Sequence, residues 1–261
     1  MNIGLLAVFI PSDQNRLSAL NVQLSTLSTE NSQLHSRMDK IAASGSLTDG
    51  SVASLQAPAV TQVTTTTRGK HPSQTVVENG SIMNISVEVV PGQGRVLVET
   101  KPLMSIVFQD AANSAVGVAI NKTRANLSKS DVIFSIDAGN HIGEVDGPSA
   151  GALMTLLTVA AIEKRPVNQT LTLTGTINED GSIGAIGGVV AKATAARDSG
   201  KTLFLIPLQN QLIPPPSSGT GTFSTTLPVN PVSAKDYIEK NVGIRVAYIN
   251  SIDDVLAVGL K

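Results

Sequence analysis

The stretch that most constrains this chain is Asp146-Gly147-Pro148-Ser149-Ala150-Gly151 together with the uncharged, mostly apolar run behind it, residues 152–162. Such a run after a glycine and a proline reads as a sharp turn into a buried helix, with Pro148 suited to the first helical position. Ser149 then falls in the first turn. There the unpaired backbone N–H groups and the positive end of the helix dipole favour negative charge, as a nucleophilic serine and its oxyanion require. Taken alone, Ser149 reads first as a cap on a core helix.

A second stretch, 43 residues downstream, gives the serine a base. Ile186-Gly187-Gly188-Val189-Val190-Ala191-Lys192 opens another helix, expected to run through Ala196. Lys192 is flanked by Val189, Val190, Ala191, Ala193, Ala195 and Ala196, with no carboxylate nearer than Asp198. A lysine on such a face loses water, its pKa falls, and a neutral amine becomes available as a general base. Ser149 and Lys192 are therefore a candidate Ser–Lys dyad. The plain alternative is a lysine that lays its stem on the apolar face and keeps its head in water.

With these motifs in place, the chain resembles the proteolytic domain of the Lon protease family. Its D-G-P-S-A-G is present unbroken, and the resemblance assigns the catalytic serine to Ser149 and the catalytic lysine, at the end of G-G-x-x-x-K, to Lys192. A family threonine in a T-G-x-x motif falls on Thr174, where the resemblance implies that it positions the lysine. Val90-Pro91-Gly92-Gln93-Gly94-Arg95, Leu203-Phe204-Leu205-Ile206-Pro207 and Ile252-Asp253-Asp254-Val255-Leu256 also match, so the likeness runs from about residue 80 to 261. Val190 stands where family members often carry a lysine or arginine, and residues 208–231 look like an insertion. The resemblance implies assembly into rings of six.

Composition narrows the chemistry. A net charge of -1 argues against a general nucleic-acid or acidic-membrane binder. With no cysteine and three histidines, disulfides, thiol catalysis and a common zinc cluster are excluded or nearly so, and neither cofactor nor metal is expected. His35 and His71 fall in the amino-terminal segment and a polar stretch. His141, in a Gly/Asn turn ahead of Ser149, reads as a turn or substrate-loop residue. Asp146 has two readings: it structures the start of the serine helix, or it pairs with Lys192 at rest, raising the lysine pKa and switching the base off.

Taken in order, residues 3–10 are apolar but too short to span a bilayer. They leave two readings open, the remnant of a signal or anchor, or a buried lead-in. Leu17, Leu20, Leu24, Leu27, Asn31, Leu34, Met38 and Ile41 then follow a heptad, read as a short coiled coil with Asn31 fixing register, or else as a helix packed on its own protein. Residues 1–42 thus form a lead-in and coiled-coil helix for self-association. Residues 43–75, rich in Ser, Thr, Ala, Gly and Gln, read as a mobile linker, and residues 76–261 as an α+β domain of mixed sheets and packed helices. Within it the spacing predicts helices at 102–123, 233–241 and 251–258, strands at 95–99, 131–136, 170–174, 202–206 and 244–248, and a Pro/Ser/Gly-rich surface insertion at 207–231.

Residues 195–202 fit a loose nucleotide-loop pattern, but the expected order there is helix, Gly200, strand, the reverse of what phosphate binding needs. Sequons at Asn84, Asn121, Asn126 and Asn168 point to a membrane-associated or extracytoplasmic setting, with a cytoplasmic one as the alternative. The expected function is an endopeptidase acting on unfolded or membrane-associated polypeptides without its own ATPase module. The alternatives are a non-catalytic coiled-coil adaptor and a proteolytic subunit dependent on a separate ATPase.

Overall fold

The structure is a computed structural model that describes residues 22, 23, 25–27, 29, 51–67, 73–100, 103–138, 144–145, 147–214 and 230–261; over 62–67, 73–77 and 144–145 it describes the backbone alone. The chain divides into two units, Met1–Thr48 and Asp49–Lys261. In the first, the described residues are helical and exposed, and the hydroxyls of Ser25 and Thr26 donate to the Val22 carbonyl. The other heptad positions, apart from Leu27, lie outside the described residues.

The second unit opens with β1 (Ser51–Thr67), paired antiparallel along its whole length with β2 (Ser73–Pro91). Over residues 51–67 and 73–75 this puts strand where a mobile linker was expected, the rest of 43–75 lying outside the described residues. Ala53, Leu55 and Ala57 point inward while Val52 and Ser54 point out, a period-two pattern whose inward residues are too small to stand out in a Ser/Thr-rich stretch. β3 (Val96–Thr100), β4 (Leu103–Met104), α1 (Ile106–Thr123), β5 (Ser130–Asp137) and β6 (Glu144–Val145) follow. β1, β2, β5 and β3 make one sheet in that order, and β4 pairs with β6. The Pro91–Gly94 turn is held by Asp131, whose carboxylate accepts from the Gln93 and Arg95 backbone N–H groups and from the Arg95 guanidinium. Those donors keep its carboxyl well below the usual carboxylate range.

α2 (Gly151–Glu163) is buried through Ala161, and the hydroxyls of Thr155 and Thr158 bond back to the Gly151 and Met154 carbonyls, so no polar group is stranded. Next come β7 (Leu171–Leu173), the β8 (Thr176–Ile177) and β9 (Ile183–Gly184) hairpin, α3 (Val189–Asp198) and β10 (Leu203–Pro207). A short 3-10 turn at Leu208–Asn210 leads to β11 (Leu212–Ile213), which pairs with β12 (Val232–Ser233); α4 (Ala234–Asn241), β13 (Arg245–Ile249) and α5 (Ile252–Gly259) complete the unit. Strands β13, β10 and β7 form a parallel sheet. Ser233 and Ser251 cap the last two helices through their hydroxyls.

Two apolar clusters result. One joins β1, β2 and β5 to α1 and α2; the other gathers α3, β10, β13 and α4. Among the described residues no helix is long and apolar enough to cross a membrane.

Candidate active site

The serine turn and the lysine helix belong to different clusters, and their side chains meet at the seam. Ser149 lies in the turn just ahead of α2 rather than in its first turn: Ala150 is the N-cap, and the Gly151 N–H closes back on the Pro148 carbonyl. Pro148 therefore shapes that turn instead of opening the helix. The turn is then tied to the end of β7. Gly175 donates from its N–H to the Ser149 carbonyl at 2.8 Å, and the Ala152 N–H donates to the Gly175 carbonyl at 3.1 Å.

Lys192 reaches the same point from the first turn of α3. Gly188, with φ 66°, makes the left-handed N-cap from which that helix starts, and its carbonyl accepts the Lys192 N–H. The β1–β2 hairpin then covers the lysine. Val60 and Gly80 face each other across the ladder. A Cβ on Gly80 would lie 2.0 Å from the Ala191 carbonyl oxygen, and one on Gly188 would lie 2.5 Å from a Val60 methyl, so α3 can seat against the hairpin only because both positions are glycine.

Lys192 is 4% exposed, and its Nζ donates to Ser149 Oγ at 2.9 Å and to Thr174 Oγ1 at 3.2 Å. Thr174, itself buried, spends its own proton on the Ser149 carbonyl at 3.1 Å, so its lone pairs are left for the amine. Burial pushes the Lys192 ammonium down from 10.5 to about 8, against the opposing pull of the Glu78 carboxylate. Ser149, Lys192 and Thr174 are thus brought together as a hydroxyl, a low-pKa amine and a second hydroxyl. Asp146 and His141 lie outside the described residues.

A cleft of about 460 Å³ opens onto this group, with Pro58–Thr61 of β1, Glu78, Met83 and Phe108 on its walls together with Pro148, Thr176 and residues 185–188. Four consecutive residues of β1 line it, so the strand presents its edge, and β1 is an edge strand with β2 on its other side. Further back along that edge, the Ser54 and Gln56 carbonyls accept from the Gln169 and Thr172 side chains. Because strand groups alternate, the Pro58 carbonyl and the Val60 N–H and carbonyl point to the same open side. Pro58 has no N–H to leave unpaired there.

Three contributors were not legible as site residues: Glu78, Gly80, and the Gln209–Asn210 pair within the expected surface insertion. Asn210 clasps Ile186, accepting from its N–H and donating to its carbonyl at 2.9 Å each, while Gln209 accepts from the Ala185 N–H. Amide side chains just past a strand were the available signal. Lys201 of the nucleotide-loop pattern donates to the Gln169 carbonyl, in a helix–turn–strand order. Among the described residues, no three His, Cys, Asp or Glu side chains gather as a metal site would require.

A buried amine thus meets a serine hydroxyl beside the end of a parallel strand. Residues 73–213 match the Lon protease (S16) C-terminal proteolytic domain, more than half of the chain, and the chain belongs to that family. It is 33% identical over 135 residues to a Lon protease of Mycoplasma mycoides, covering 50% of this chain and 17% of the relative. It is 32% identical over 136 residues to a Lon protease of Clostridioides difficile, covering 49% and 16%. With Lon protease 2 of Bacillus subtilis the identity is 30% over 146 residues, covering 51% and 26%. The match thus spans about a quarter or less of each relative's length. The Ile252–Leu256 motif lies beyond the matched residues.

Proposed function

We propose that this domain is a serine endopeptidase in which Ser149 is the nucleophile and Lys192 the general base. The observation that carries the reading is the 2.9 Å contact between a hydroxyl and an amine from which burial removes water. In the neutral form, Nζ takes the Ser149 proton as Oγ attacks the peptide carbonyl, then returns a proton to the leaving amine; a water molecule, deprotonated by the same amine, releases the acyl group. Thr174 holds the amine by accepting one of its N–H groups, leaving the nitrogen lone pair for Ser149.

The Gly151 and Ala152 N–H groups are already engaged, and among the described residues those of Ser149 and Ala150 are not. The Ser149 N–H is the natural oxyanion donor, an interaction worth roughly 3 kcal/mol. Asp146 keeps the two roles expected of it, shaping the turn or pairing with the resting lysine. The substrate lies extended along the β1 edge, its backbone meeting Val60. That favours unfolded segments, membrane-associated ones included, over folded protein. No step consumes ATP.

Self-association accompanies this activity. Leu103, Ile106 and Val107 are 74%, 76% and 47% exposed, an apolar group of the kind that subunits bury, and sedimentation of the full chain tests it. Purified Ser149→Ala and Lys192→Ala variants should fold yet lose casein cleavage, and a serine-directed covalent reagent should label wild type but not Ser149→Ala. Undiminished turnover by either variant refutes the dyad. Labelling without turnover until an ATPase partner is added favours the dependent-subunit alternative.

A further inference from the structure

The peptidase chemistry leaves one charged group of the cleft without a role. Glu78 stands on β2 two residues before Gly80, so its side chain leaves the strand on the face that Gly80 turns toward α3. It is exposed, lines the cleft, and its charge is felt at Lys192. Among the described cleft residues it is the sole carboxylate, set beside the apolar surfaces of Pro58, Val60, Met83, Phe108 and Ile186. Lys192 serves as a base only when uncharged. In the competent state the described walls of the cleft therefore carry a single negative charge. A peptide on the open edge of β1 lies two strand spacings, roughly 10 Å, from β2, a distance that a lysine or arginine side chain and the Glu78 side chain span together.

We infer that Glu78 is a specificity-determining residue that favours polypeptide segments carrying a lysine or arginine close to the scissile bond. The inference rests on the peptidase reading and adds a substrate class to it. It has a second consequence. A substrate cation paired with Glu78 offsets the pull of that carboxylate on Lys192, so the base is freed at lower pH when such a substrate is bound. The other described groups facing the amine, Ser149 Oγ and Thr174 Oγ1, carry no charge, and Asp146 lies outside the described residues.

The test uses the full chain and internally quenched peptides that share one apolar core and carry a single Lys, Gln or Glu, scanned across the positions flanking the cut. Wild type should prefer Lys over Gln at one position by about threefold to fivefold in kcat/KM, with Glu poorest and the preference shrinking as salt rises. In Glu78→Gln the Lys-to-Gln ratio should fall to about one, whereas Glu78→Asp should retain a preference. The acid limb of the wild-type kcat pH profile, which reports the substrate-bound enzyme, should lie lower for the Lys peptide than for the Gln peptide, and the two limbs should coincide in Glu78→Gln. Equal cutting of Lys and Gln peptides at every position, or a preference that survives in Glu78→Gln, overturns the inference alone. Failure to cut any peptide overturns the peptidase reading and this inference with it.

Discussion

Gly80 of β2 lies so close to the carbonyl of Ala191 that a Cβ there would stand 2.0 Å from the oxygen. The lysine follows Ala191 in the chain, so the hairpin and the first turn of α3 are locked together at the point where the amine is taken out of water. A Gly80→Ala substitution must push the two apart. It should cost about 1–3 kcal/mol of stability, read by denaturant unfolding, and lower peptidase activity more than the stability loss explains, because water reaches Nζ. A variant with full activity would show that the close approach does not hold the lysine.

The acidity of Lys192 sets both the pH profile and the stability. With Lys192 as the proposed base, activity needs the neutral amine, so kcat/KM should rise with pH through an apparent pKa of about 8. Between about 8 and its ordinary value of 10.5 the folded state binds fewer protons than the unfolded state, so stability rises with pH across that window and is penalised in full below it. Lys192→Met removes the penalty. It should abolish turnover while raising stability by up to about 3 kcal/mol near neutral pH. A lower melting temperature for Lys192→Met at pH 7 would contradict the burial argument.

Thr174 should act on rate rather than on folding. Thr174→Val keeps the shape but removes the acceptor for Nζ and one of two donors to the Ser149 carbonyl, the Gly175 N–H remaining. The expected outcome is a roughly tenfold or larger fall in kcat with KM little changed, a stability loss of about 1 kcal/mol, and recovery of rate in Thr174→Ser. Single-turnover kinetics on the three proteins distinguishes this from a packing defect, which Thr174→Ser would not repair.

Asn210 braces one wall of the cleft. Asn210→Ala removes both hydrogen bonds to Ile186, and the loop at residues 185–188 loses its tie to the turn after β10. Stability should fall by about 1–3 kcal/mol, with KM for peptides rising more than kcat falls. Steady-state kinetics alongside thermal melts checks this, and a KM equal to wild type would mean that the wall holds its shape unaided.

The two candidate residues were legible because their signals are local. A serine between a glycine–proline break and an uncharged run, and a lysine amid valine and alanine, can each be read from a dozen residues, and most helices and strands of residues 76–261 fall within a few residues of expectation. β1 was not legible. Of its inward residues Ala53, Leu55 and Ala57, two are alanine, and its identity as a strand rests on pairing with β2 rather than on its own apolar content. The bracing amides failed to stand out for the same reason: a hydrogen bond from Asn210 to Ile186 has no signature in either local sequence.

By itself the sequence singled out two candidate side chains: one hydroxyl at the mouth of a buried helix and one amine with no nearby carboxylate on its own helix. Tertiary structure decided that they meet. Distance and dryness are properties of two elements at once, and both follow from a hairpin that seats on α3 through Gly80 and Gly188, encloses Lys192 and leaves its nitrogen against Ser149. Glu78 owes its place to the same pairing, since only the β1–β2 ladder carries its carboxylate to the cleft.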